Sequence, residues 1–221
     1  MSIPHPIEYS RVRGDFVLAG LGAIVDLARW SVDTAFEPVD LVLAPGNLDR
    51  AAIVAVAAAI ASGAVSIATI DARFDGGLAR VRSRAADLAT SVLSFEPEQV
   101  LPDLVGAGPG TTPSGDDMIV GCLAALAVVG RTDAARRLAE ATAPLLAATT
   151  ITSRHYLEAA ASGRFAEHVH DLVAGFETGR SAERILEHAT RWGATSGVDL
   201  LIGMTATLRA DLAARSEEGA A

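Results

Sequence analysis

Serine, threonine and aspartate recur at fixed places in two short blocks of this chain, where they could hold a small anion and move a proton. The first block is Ser114-Gly115-Asp116-Asp117-Met118-Ile119-Val120-Gly121; the second is Ser196-Gly197-Val198-Asp199-Leu200-Leu201-Ile202-Gly203. Serine, glycine, the second aspartate and the later glycine match at a constant offset of 82 residues, and so do Leu126 and Leu208. Both blocks read as loops entering helices. Helix entrances carry unpaired backbone N–H groups and a positive dipole end. Two that converge make a pocket for a small anion.

Each position has a physical role. Gly106, Gly108 and Gly110 precede the first block and allow a backbone that side chains would block. Thr112 supplies a hydroxyl, and Pro113 fixes the chain before the helix. Ser114 can cap that helix, with Asp117 three residues on as the returning acid. Asp116 then faces the loop, and Gly115 and Gly121 stay small. The second block offers Ser196, Asp199 and Gly203 in the same relation, with Gly197 inside it and Thr195 just before it. The plainer reading is two capped helices crossing at Gly121 and Gly203, without chemistry. A third reading has Asp116 or Asp117 join Asp199 around Mg²⁺ through oxygen ligands.

Beyond the blocks, Thr149-Thr150-Ile151-Thr152-Ser153-Arg154-His155-Tyr156 is a hydroxyl-rich helix entrance. Arg154 could clamp a carboxylate, as could Arg164 after Gly163, and His155 could carry a proton. His168 and His170 are two apart, the wrong spacing for a zinc pair on a helix. Trp192 could wall a pocket or simply pack, and Cys122 reads as a core residue. Ser114 lacks the strand–G-x-S-x-G–helix setting of an acyl-transfer nucleophile.

Composition narrows the field. All 18 basic residues are arginine, which excludes Schiff-base, biotinyl and Walker-type lysines. Any phosphate or carboxylate must therefore be held by arginine, hydroxyls and backbone N–H groups. The net charge of −9 disfavours nucleic acid and anionic membranes as partners. With no long apolar run, no signal-like start and a single cysteine, cytoplasm is the expected location.

The elements that must position these residues read as an α+β chain. Residues 1–100 form a strand-containing N-terminal region; residues 101–221 form a mainly helical region carrying both blocks, or the two are one continuous domain. Strands are expected at 15–19, 39–44 and 65–70, and helices at 51–61 and 77–93, the latter with Arg80, Arg82 and Arg84 on the wet side. Further helices are expected at 114–129, 132–148, 153–161, 165–177, 182–192 and 196–213.

The stretches 106–118, 152–163 and 193–203 resemble a bacterial family of uncharacterised proteins whose hallmark is a G-x-G-x-G-L-T-P-S-G-D-D loop. Thr111 stands where that family has leucine. One branch is associated with the oxamate carbamoyltransferase of allantoin catabolism, as a subunit beside an acyl-CoA-synthetase-like protein. The resemblance implies a subunit of a carbamoyl- or acyl-transferring system, with carbamoyl phosphate or oxamate as substrate and such a protein as partner. On that reading Gly108, Gly110, Thr112, Ser114, Gly115, Asp116, Arg154, Thr195, Ser196 and Gly197 bind substrate, while Asp117 and Asp199 orient the loops or accept a proton. The alternative is a non-catalytic anion-binding or scaffold subunit that works only with partner proteins. Self-association into a homo-oligomer is compatible with either.

Overall fold

The computed structural model describes residues 9–12, 15–18, 23–25, 42–63 and 77–219. The chain divides into two compact units, residues 1–40 and 41–221. Taken by itself, the first unit shows three short antiparallel strands, β1 (Tyr9–Val12), β2 (Asp15–Leu18) and β3 (Ala23–Val25), in the order β1-β2-β3.

The second unit carries both blocks and is built from helices: α1 (Arg50–Ala61), α2 (Gly77–Arg82), α3 (Ala85–Leu93), α4 (Leu101–Leu104) and α5 (Ser114–Val128) come first. Then follow α6 (Thr132–Thr142), α7 (Ile151–Ala161), α8 (Glu167–Glu177), α9 (Ala182–Thr190) and α10 (Ser196–Glu218). The α+β expectation is therefore corrected. The described part of this unit is helical, and it holds no strand ladder. Among the described residues of the run 39–44, only Val42 makes a bridge, and its partner is Arg164 in the turn between α7 and α8. A helix–helix turn offers one backbone pairing and no edge along which a sheet could grow. The run 65–70 lies outside the described residues.

The expected helix at 77–93 is two helices, α2 and α3, separated by Ser83 and Arg84. The expected helix at 132–148 gives way to a 3₁₀ segment, Ala143–Ala148, where Pro144 removes a backbone donor.

The core is helix on helix. In α5 every residue from Ser114 to Leu126 is buried, so this helix has no wet face. In α10 the same holds from Gly197 to Thr205. These two helices pack on each other at the centre, with α1, α3 and α9 against α10 and α6 and α7 against α5. The outer helices are amphipathic. In α9, Ala182, Ile185, Leu186 and Ala189 turn inward, at helical spacing.

The two repeated blocks face each other reciprocally. A Cβ on Gly121 would fall well inside 3.0 Å of the Leu200 carbonyl oxygen, and one on Gly203 equally close to that of Met118. Positions 118 and 200, and 121 and 203, are the same positions of the two blocks. The backbones thus touch at two equivalent points where only glycine fits. Gly115 and Gly197 repeat the pattern nearly two turns earlier, against the carbonyls of Leu104 and Ala189.

Candidate functional site

The glycine-rich loop is tied down by hydroxyls and one carboxylate. Asp116 is buried, and its Oδ1 accepts from the Gly106 N–H at 2.9 Å. Its Oδ2 accepts from the hydroxyls of Thr149 and of Ser153, the latter at 2.7 Å. Thr150 caps α7 through the Ser153 N–H, and its hydroxyl donates to the Thr111 carbonyl at 2.5 Å. The hydroxyl-rich entrance of α7 therefore serves to hold the loop. Asp116, expected among the substrate contacts, has both carboxylate oxygens engaged in this scaffold.

The loop meets the second block at one contact. Thr112 Oγ1 and Ser196 Oγ lie 2.7 Å apart, joining residues on either side of the chain's long intervening stretch. By the repeat, the counterpart of this pair would be Ala194 with Ser114. Ala194 has no hydroxyl, and Ser114 Oγ is correspondingly buried without a partner. The cap expected of Ser114 is not made: it is the first residue of α5, and Pro113 occupies the N-cap position.

The first amides of both helices are already used. Gly115 N–H donates to Ala107 O, and those of Asp116 and Asp117 donate to Pro113 O. Gly197 N–H donates to Trp192 O and that of Asp199 to Thr195 O. In the loop itself, the amides of Gly110, Thr111 and Thr112 donate to no other backbone group of the described residues. Successive loop amides of this kind can form an anion-binding concavity.

Two cavities adjoin here. The larger, about 370 Å³, is lined by Gly110, Thr111, Thr112, Thr152, Thr195 and Ser196 on its polar side, with Tyr156 and Trp192 opposite. The smaller, about 280 Å³, shares Tyr156 and Trp192 and has mostly apolar walls, with Asp117, His155, Arg164 and His168 as its polar groups. Trp192 stacks on His168 with ring centroids 3.5 Å apart and meets Tyr156 edge-on at 6.0 Å. The tryptophan is thus a shared wall.

Asp117 stands at the seam. It lines the smaller cavity, while the hydroxyls of Ser196 and Thr112, from the larger one, reach it and favour its charged form. Burial outweighs them and, with the negative charges of Asp199 and Asp116, pushes its pKa from 3.8 up to about 8. At neutral pH it is mainly a carboxylic acid, and its Oδ2 is buried with no partner. His168 moves the other way. Burial and the neighbouring His188 take it from 6.5 down to about 4, so the ring is neutral, and its Nε2 is also unpartnered.

Asp199, the repeat counterpart of Asp117, is lodged differently. Its Oδ1 accepts from Arg82 Nε at 2.6 Å, with the arginine side chain 8% exposed. Arg82 is therefore buried and not on the wet side, and it holds Asp199 behind the cavities. Nothing in the local pattern Arg80-Val81-Arg82 marked which arginine would turn inward.

The remaining sequence candidates fall into place around these. Ser114, Gly115 and Gly197 are buried packing residues that line neither cavity, and Gly108 is exposed and lies close against Ser114. Arg154 lines neither cavity; its Nε donates to the Leu146 carbonyl at 3.1 Å. Arg164 does reach a cavity. His168, set aside on metal-ligand spacing, is a wall residue of the smaller cavity. Among the described residues no group of three metal-ligating side chains converges, so the three aspartates do not form a Mg²⁺ cage.

Residues 104–208 match the model of the family described as oxamate carbamoyltransferase subunit AllH, which bears out the resemblance drawn from the three stretches. No curated protein and no solved structure matches the chain. Among the described residues no helix is long and apolar enough to cross a membrane.

Proposed function

We propose, from the relation of residues 104–208 to that subunit family, that the chain is a subunit of a carbamoyl- or acyl-transferring system acting on small anionic metabolites. The observation that carries this reading is the 2.7 Å contact of Thr112 with Ser196, which brings the two repeated blocks to one hydroxyl-lined cavity. The amides of Gly110, Thr111 and Thr112 and the hydroxyls of Thr112, Thr195 and Ser196 are donors for an oxyanion such as that of carbamoyl phosphate or oxamate. Asp117 holds a proton beside these hydroxyls and can pass it to a developing oxyanion. Asp199 acts through Asp117 as a positioning residue, because its charge is spent on Arg82 and felt by Asp117. Such a site accelerates transfer by placing two reactants and stabilising developing negative charge, with no covalent nucleophile.

Calorimetry with phosphate, carbamoyl phosphate and oxamate tests the site. Thr112→Val and Ser196→Ala are expected to weaken binding at least about ten-fold each, on the order of 1.4 kcal/mol for a lost hydrogen bond. Parent-like affinity in both variants would place the anion elsewhere. Carbamoyl transfer to oxamate, assayed with the chain alone and with an acyl-CoA-synthetase-like partner, then separates a catalytic subunit from an anion-binding scaffold.

A further inference from the structure

The smaller cavity has a chemistry of its own. Val120, Ala159, Phe165, Ala166, Val169 and Leu200 give it carbon walls. At its deep end Asp117, only 4% exposed, presents a buried Oδ2 that bonds to nothing. His168 Nε2 is likewise buried and unbonded. At its mouth stands Arg164, an exposed residue whose guanidinium makes no ion pair among the described residues. An unneutralised cation at the opening of an apolar chamber, in a chain of net charge −9, is a place for a carboxylate. Oxamate is polar throughout, and seating it against carbon walls would strip its water without replacing it.

We propose that this cavity binds a monocarboxylate with an apolar carbon body, its carboxylate on Arg164 and its body against the carbon walls. The inference rests on the reading of the site as one for small anions and narrows it: the organic substrate of this chain carries more carbon than oxamate. The hydroxyl-lined cavity on the other side of Trp192 and Tyr156 then takes the polar group to be transferred.

The full chain with Trp30→Phe leaves Trp192 as its one tryptophan. Its fluorescence, titrated with benzoate and benzamide, reports on the wall that both cavities share, and the variants assign the response to one of them. Benzoate is expected to give a saturable change at an affinity at least ten-fold tighter than benzamide. Arg164→Gln is expected to weaken benzoate at least ten-fold, and Ala166→Phe, which fills the chamber from its wall, to remove the response. Thr195→Val, which is aimed at the other cavity, should leave benzoate unchanged while phosphate binding falls. No benzoate response, equal affinity for benzamide, or indifference to both Arg164→Gln and Ala166→Phe overturns the inference. Loss of phosphate binding in none of the hydroxyl variants, with benzoate behaving as described, instead overturns the anion-site reading alone.

Discussion

Asp117 and His168 share a cavity and titrate abnormally in opposite directions, which gives the protein a distinctive pH profile. Folded Asp117 keeps its proton up to about pH 8, whereas the unfolded side chain loses it near 3.8, so raising the pH across that window destabilises the fold. Folded His168 loses its proton near pH 4 and the unfolded ring near 6.5, so raising the pH across that window stabilises it. Between about pH 4 and 6.5 the two offset each other; from 6.5 to about 8 only Asp117 acts, and stability falls by about 1.4 kcal/mol per pH unit at full effect. Urea unfolding at pH 5, 6.5 and 8 checks this. Asp117→Asn is expected to be relatively more stable the higher the pH, because the amide mimics the protonated acid. A constant difference between parent and variant would mean that Asp117 titrates like any exposed aspartate. The sequence marked Asp117 through its place in the repeat. It left the divergence from Asp199 hidden, because the discriminating partner, Arg82, is 117 residues away from Asp199.

At the scale of elements, α5 and α10 are held by contacts that recur at matching positions, and this part of the fold was legible. Gly121 and Gly203 could be read as crossing points because glycine one turn past a buried aspartate has little other use on an apolar helix. A methyl group at either place meets backbone, which cannot swing aside as a side chain would. Gly121→Ala and Gly203→Ala are each expected to cost at least about 3 kcal/mol. The double variant should cost less than the sum, since separating the helices for one methyl makes room for the other. Thermal or urea unfolding of the three variants measures both quantities; strict additivity would show that the two points are independent. The helix entrances were less legible. Their first amides are consumed by Ala107 O, Pro113 O and Trp192 O, and loop carbonyls turning back on a helix leave no mark in residue type.

For the molecule as a whole, helix number and order from Ser114 onward followed from apolar spacing and short glycine turns. The class did not, because a short apolar run such as 39–44 looks alike as a strand or as an extended connection. Cys122 offers a measure of global opening. It is fully buried, and burial pushes its thiol up to about 12. Maleimide labelling is therefore expected to track global unfolding, with a urea dependence matching that of circular dichroism; fast labelling without urea would reveal a local opening of the central helices. The central pair also has a history during synthesis. Its first member is sticky on every side, and the surface that covers it lies 82 residues downstream in the chain. At roughly 5–20 residues per second a ribosome needs about 4–16 s to supply it. For that interval the nascent chain must keep a greasy rod out of water by provisional means, which makes the newborn protein a natural client for a holding chaperone.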